Sequence, residues 1–411
     1  NNATLSTAGS ISQSAGSVTA AYLFMTATSG SIGTSVNRIN SNVSNLALTS
    51  AGNQFVTETD AVTLAARTTG TGSVNVETTN GTLTVSTVSS ISGVQTTGTA
   101  GDITLTGTST TAGGLVVNQA VTANAGNITL SGTSSVNNGM VIESGINITS
   151  TTGDVSLTGT TSATSTSLIG PLAGISFRNL SNPVGTVSGR NITMNASATG
   201  TTGNALGYWG RDGEIVASEQ LNLTSSSIGN NALYSVGGVF SSGTGMTING
   251  TSQAANSAIA LVNGVTLNNG ISGGISITGT ASSDQAAILF GNAGTNTITN
   301  SGSDGVKLTA LKGSIVLNSG TNTITNNGSG EVVLRAMPSL DTTTGADHEG
   351  AIDGTRLTIT QTGSGGVQLL TSGKGDISAP KMVLNGGNVV IAAGTAVAQG
   401  DGSGGQVKTV A

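Results

Sequence analysis

Gly101-Asp102-Ile103-Thr104-Leu105, Gly126-Asn127-Ile128-Thr129-Leu130 and Gly153-Asp154-Val155-Ser156-Leu157 are three copies of one pattern, glycine, Asx, aliphatic, hydroxyl, leucine, spaced 25 and 27 residues apart. Looser copies follow at Asn191-Ile192-Thr193-Met194, Gly274-Ile275-Ser276-Ile277, Gly313-Ser314-Ile315-Val316-Leu317 and Gly387-Asn388-Val389-Val390-Ile391. The closest pair is Gly294-Thr295-Asn296-Thr297-Ile298-Thr299-Asn300 against Gly320-Thr321-Asn322-Thr323-Ile324-Thr325-Asn326, an offset of 26 that also carries Val306-Lys307-Leu308 onto Val332-Val333-Leu334. Two successive segments in register at one period indicate a repeat architecture. Within each copy aliphatic and hydroxyl residues alternate, the period of a strand with one face inside. Between Gly101 and Gly126 there is room for three short strands, about Ile103–Leu105, Leu115–Val117 and Val121–Ala123, with Gly- and Asn-rich turns between them.

About 25 residues hold some seven aliphatics, too few to offset the entropy of ordering one such unit alone. Stacking supplies parallel ladder bonds above and below and lines the aliphatics into interior rows. The expected fold is therefore all-β: a single-stranded, right-handed parallel β-helix of roughly 16 coils of about 25 residues. It is read as one continuous solenoid over residues 1–411, with helices minor. Three stretches break the pattern and are expected as outward irregularities: Leu168–Pro183, Gly203–Gly213 and Asp341–Gly350. The last is inferred from a third copy, Ile359 to Leu369, offset by 35 from Ile324 to Leu334.

Composition agrees. One Trp, three Tyr and five Phe serve 411 residues, so the interior must be filled by Val, Ile, Leu and Ala. The 63 glycines follow no Gly-X-Y period, which excludes collagen. A net charge of -6 removes the basic footprint of nucleic-acid binding. No run of 18 apolar residues suits a transmembrane helix. The absence of cysteine fits a secreted bacterial fibre and many other proteins. The opening Asn1-Asn2-Ala3-Thr4 shows neither an initiator Met nor a signal segment, so a processed protein or a segment of a longer one is expected.

Several stretches carry a family resemblance. Thr28-Ser29-Gly30-Ser31-Ile32-Gly33-Thr34, Val43-Ser44-Asn45-Leu46-Ala47-Leu48-Thr49-Ser50-Ala51-Gly52, Val62-Thr63-Leu64-Ala65-Ala66, Gly72-Ser73-Val74-Asn75-Val76 and Gly386-Gly387-Asn388-Val389-Val390-Ile391-Ala392-Ala393-Gly394 are similar to segments of filamentous-haemagglutinin-type exoproteins of bacterial two-partner secretion. The resemblance implies a long shaft, secreted or held at the bacterial cell surface, acting as a fibre or adhesin. The family's secretion module with its Asn-Pro-Asn motifs is not found, which marks the chain as shaft.

Parallel β-helices can also carry polysaccharide-acting enzymes or glycan-binding modules, which converge Asp, Arg or Lys on one face. The densest charge cluster is Asp341, Asp347, His348, Glu349, Asp353 and Arg356; of these, Asp347, His348 and Glu349 are candidate ligand contacts. Tyr208-Trp209-Gly210-Arg211 is the second candidate, since Trp beside Arg can stack on a sugar or a neighbouring subunit. Asp102 and Asp154 share a position with Asn127, which reads as a turn requirement for Asx. Neither a catalytic set, a metal site nor a cofactor is expected. A remoter alternative, ice binding, is suggested by the outward pairs Thr104/Thr106, Thr297/Thr299, Thr323/Thr325 and Thr358/Thr360. Thr129/Ser131, Ser156/Thr158 and Thr193/Asn195 at equivalent positions break a flat array on this reading. Both chain ends read as β-helix coil, so the expected partners are the rest of a longer chain or further copies stacked head to tail; surface glycans or a neighbouring cell are further candidates.

Overall fold

The computed structural model describes residues 1–164, 172–178, 184–201, 205–254, 256–282, 286–292, 294–317, 319–337, 339–340, 347–348, 350–372, 375–393 and 407–408. Among these, every regular element is a strand. Forty strands lie in parallel ladders, and two short antiparallel pairs branch from them. The chain divides into two compact units. One is Asn1–Thr164 with Leu172–Ser197 and Gly213–Val216, and the other is Ser165–Pro171 with Ala198–Asp212 and Ala217–Ala411. Both are parallel β-helices.

In the first unit a coil has three strands: Ile103–Ser109, Leu115–Val117 and Val121–Ala123. Each pairs with its counterpart one coil on. Ile103 faces Ile128 and then Val155, Leu115 faces Met140 and then Ile175, and Val121 faces Ile148 and then Val187. The repeat period is thus the ladder itself. Ile103 and Leu105 are fully buried while Thr104 and Thr106 are half-buried outside, as alternation requires. The first strand runs four residues past Leu105 because position 107 is glycine. A Cβ there would strike the Gly114 carbonyl, where the chain folds back into the second strand; Gly132 meets Gly139 and Gly159 meets Gly174 in the same way.

The earliest coils are shorter than 25 residues. Ile39 faces Val56 and Gln54 faces Val74, offsets of 17 and 20. Here the corner between second and third strands is lost. Val62–Thr68 is one strand that pairs with Leu83–Val85 at its start and with Val94–Thr96 at its end. One coil later the corner reappears as an antiparallel hairpin, Thr87–Val88 with Ile91–Ser92. The hairpin folds over the outside of the stack, where Val88 and Ile91 pack on Ala47, Ala65 and Phe24.

The second unit repeats the plan with Gly274–Thr280, Ala286–Gly291 and Thr295–Asn300, followed by Gly305–Lys312, Ser314–Val316 and Thr321–Asn326. The sequence pair at offset 26 is a ladder: Thr295 to Asn300 faces Thr321 to Asn326, and Val306 and Leu308 face Val332 and Leu334. The third copy joins at offset 35, Ile324 facing Ile359. Its extra residues fall, in sequence, between the strands Val332–Ala336 and Ile352–Asp353.

Two of the three stretches expected to be irregular contain ladder strands. Ala173–Arg178 sets Ile175 and Phe177 against Met140 and Ile142, and Leu206–Arg211 pairs with Leu233–Val236. Residues 168–171 and 179–183, with Pro171 and Pro183, lie outside the described residues. The interior also takes large rings, with Phe177, Tyr208, Phe240 and Phe290 all buried. Glycine makes room for two of them. The Phe177 ring occupies the place of a side chain at Gly213, and the Tyr208 ring that of one at Gly210.

Candidate functional site

Strand Leu206–Arg211 fixes which side of the coil each residue of the aromatic candidate takes. Leu206 and Tyr208 point inward, and Trp209 and Arg211 outward. Tyr208 is 2% exposed, and burial pushes its phenol far above the ordinary value. It is a core residue, not a contact residue, because strand parity opposes it to its neighbour Trp209. Trp209 is half-buried, and Arg211 is exposed with Nε 3.7 Å from Asp212 Oδ2. Trp209 is in register with Tyr234, Tyr234 with Ala260, and Ala260 with Leu289, so the outward row is apolar over four coils. Tyr234 was within reach of the sequence, since it stands one 25-residue period after Trp209.

The charged candidate is split by the fold. The backbone of Asp347 and His348 pairs antiparallel with Leu340 and Ser339, forming the base of the insertion. The Asp347 and His348 side chains, Glu349 and residues 341–346 lie outside the described residues. Asp353 ends the strand Ile352–Asp353, and its Oδ1 accepts hydrogen bonds from the Thr355 amide (3.2 Å) and hydroxyl (2.9 Å) of the turn that follows. Arg356 lines a groove of about 420 Å³ with Thr321, Thr355, Thr358 and Lys381. A second groove in this unit, of about 350 Å³, lies over Gly245, Gly274 and Gly305, with Asp304 and Lys307 at its side.

The Asx position serves the stack rather than its own turn. Ser10 Oγ accepts the Ser31 amide (3.1 Å), Ser31 Oγ that of Asn53 (3.0 Å), Asn53 Oδ1 that of Ser73 (2.9 Å) and Ser73 Oγ that of Asp102 (3.0 Å). Asp102 Oδ1 then accepts Asn127 (2.7 Å), Asn127 Oδ1 accepts Asp154 (2.9 Å) and Asp154 Oδ1 accepts Asn191 (3.2 Å). Each oxygen caps the N–H that starts the next strand, so Ser, Asn and Asp are interchangeable there and Gly is the residue before it. Arg190 forks onto both Asp154 oxygens (2.9 and 3.0 Å), and this, with the Asn191 bonds, holds the carboxyl below the ordinary aspartate range. Among the described residues no group of three His, Cys, Asp or Glu is placed to hold a metal.

The second unit has its stitch inside. Ser242 Oγ donates to Asn269 Oδ1 (2.9 Å), Asn269 Nδ2 to Asn300 Oδ1 (2.8 Å), Asn300 Nδ2 to Asn326 Oδ1 (2.7 Å) and Asn326 Nδ2 to Gln361 Oε1 (2.8 Å). The amides also close the adjoining corners onto the carbonyls of Ser272, Gly302 and Gly330. All five side chains are buried. Asn300 and Asn326 close the two copies of the repeat pair, and their side chains line the interior.

Arg38 is the one long cation bound across coils in the first unit's early part. Its guanidinium donates to Thr57 Oγ1 (2.7 Å), the Val56 carbonyl (2.7 Å) and Asn75 Oδ1 (2.8 Å), stands 3.2 Å from Glu77 Oε1, and lies over the Phe55 ring. No family model, curated protein or solved structure matches the chain.

Proposed function

We propose that this chain is a structural segment of a secreted or cell-surface bacterial fibre, of the filamentous-haemagglutinin type that its coil sequences resemble. One observation carries the reading: in each unit a row of polar side chains ties one coil to the next. The Ser10-to-Asn191 ladder and the Ser242-to-Gln361 ladder each run across several coils, and Arg38 bridges three. Such side-chain ladders resist separation of coils along the stack, which a load-bearing shaft requires and a catalyst does not. Adhesive contact then belongs to outward residues such as Trp209, Tyr234 and Arg211, with surface glycans or neighbouring cells as partners. Immunogold labelling of the source bacterium with antibody against the chain tests the reading. Label on extracellular fibres or the outer surface is expected, and label confined to the cytosol overturns it.

A further inference from the structure

The threonine pairs belong to two different faces. Thr104 and Thr106 lie on the first strand of a coil in the first unit, while Thr297/Thr299, Thr323/Thr325 and Thr358/Thr360 lie on the third strand of successive coils in the second. The substitutions that break the array at Ser131, Ser156 and Asn195 are all on the first face and leave the second untouched. On the second, Thr266, Thr297, Thr323 and Thr358 are in register, and beside them Asn268, Thr299, Thr325 and Thr360. Seven of these eight side chains are hydroxyls, the eighth is an amide, and none is charged. Lys381, opposite Thr358, and Arg356, in one groove with Thr321 and Thr358, bound the face with positive charge at that end.

The grid is regular in both directions. Alternate residues of a strand stand about 6.7 Å apart and neighbouring strands about 4.8 Å. Thr323 Oγ1 donates a 3.4 Å hydrogen bond to Thr297 Oγ1, so this pair of hydroxyls leans together across the strand step while the backbone keeps the register. The support is stiff. Leu267, Ile298, Ile324 and Ile359 are buried beneath, and the Asn269–Asn300–Asn326–Gln361 ladder runs along the inside of the same strands. β-Branching restricts the threonine rotamers, so methyls and hydroxyls are positioned before any ligand arrives. A neutral, rigid, two-dimensional hydroxyl and methyl lattice offers little to a protein or a charged polymer. It suits a surface that is itself a neutral hydrogen-bonding lattice, because water ordered on such a grid already has the arrangement the solid requires.

We propose that this face binds ice, through a layer of water ordered on Thr266, Thr297, Thr299, Thr323, Thr325 and Thr358. The test is partition of the full chain between liquid and slowly grown ice. The unmodified protein is expected to concentrate in the ice, and the Thr297→Lys/Thr323→Lys pair to remain in the liquid. Lysine suits an outward ladder position, as Lys307 shows, and circular dichroism confirms retention of the fold; Thr325→Arg is the independent second variant. Gln95→Lys, outward on the first unit, is expected to partition as the unmodified protein does. Exclusion of the unmodified protein from ice overturns the proposal, and so does unchanged partition of both threonine variants. Exclusion from ice together with threonine-dependent adsorption to crystalline cellulose or chitin also overturns it and assigns the lattice to a polysaccharide.

Discussion

Asn326→Ala removes the most connected member of the interior ladder. Asn326 is fully buried; its Oδ1 accepts from Asn300 (2.7 Å), and its Nδ2 donates to the Gly330 carbonyl (2.6 Å) and to Gln361 Oε1 (2.8 Å). Three hydrogen bonds at about 1 kcal/mol each are lost, and Gln361 Oε1 loses its ladder donor in the interior, for a total of about 3–4 kcal/mol. A coil stack does not unfold as a single two-state body, so the loss is felt by the neighbouring coils first. Hydrogen exchange followed by mass spectrometry reads it directly. Amides of Thr295–Asn300, Thr321–Asn326 and Leu357–Gln361 are expected to exchange several hundredfold faster, at about tenfold per 1.4 kcal/mol. Those of Ile103–Ser109, in the other unit, are expected to keep their rates. Asn327→Ala is the control. The side chain of this exposed neighbour accepts one bond, from Thr362 Oγ1 (2.8 Å), and its removal should cost no more than about 0.5 kcal/mol. If the two variants protect the three strands equally, the ladder does not hold the coils and the reasoning fails.

Glu58 is buried, and desolvation raises its pKa despite bonds from Ser41 Oγ (2.6 Å) and the amides of Val43 (2.9 Å) and Thr59 (3.1 Å). An acid with a raised folded pKa binds its proton more tightly when folded, so its contribution is complete below the unfolded value and is lost as pH rises through the folded one. Urea melts from acid to neutral pH should therefore show falling stability of the early coils, and Glu58→Gln should flatten that slope; an unchanged slope counts against the assignment. For Arg38→Met, loss of the bonds to Thr57, Val56 and Asn75 predicts a local loss of about 2–4 kcal/mol, read as faster exchange in Gln54–Glu58 and Val74–Thr78 and not in Leu357–Gln361. Asp154→Ala should cost only about 0.5–1 kcal/mol, since the Arg190 pair is half-exposed. Because the carboxyl is held low, its contribution is present above the unfolded aspartate pKa and vanishes as pH falls through the folded one, so the variant and the parent should converge in acid melts.

The repeat was legible because one physical requirement writes it twice. Ile103, Ile128 and Val155 must be aliphatic to fill the interior row, and the residue before each must carry an oxygen for the next coil's amide. Where the corner disappears, as in Val62–Thr68, the strand pairs onward at an offset of 21 at its start and 28 at its end, so no single period describes it. Tyr208 was expected as a contact residue in the outward stretch Gly203–Gly213, yet it is inside, and Gly210 admits its ring. Parity counted from Leu206 would have placed it inside.

The interior asparagines fail sequence reading for a deeper reason. A buried Asn at the inward position of an isolated strand leaves polar atoms without partners, at a cost of about 1–3 kcal/mol each, so local logic assigns it to a turn. In a stack the cost is removed by the same residue one coil away: Asn300 satisfies Asn269, and Asn326 satisfies Asn300. The property belongs to the register and not to any segment, and it appears only when residues 31 and 26 positions apart are set side by side. The threonine grid has the same origin. Each Thr-x-Thr is an ordinary strand, and its continuity depends on which face each copy occupies, which the offsets 26 and 35 determine once the insertion between Ala336 and Ile352 is taken out of the coil.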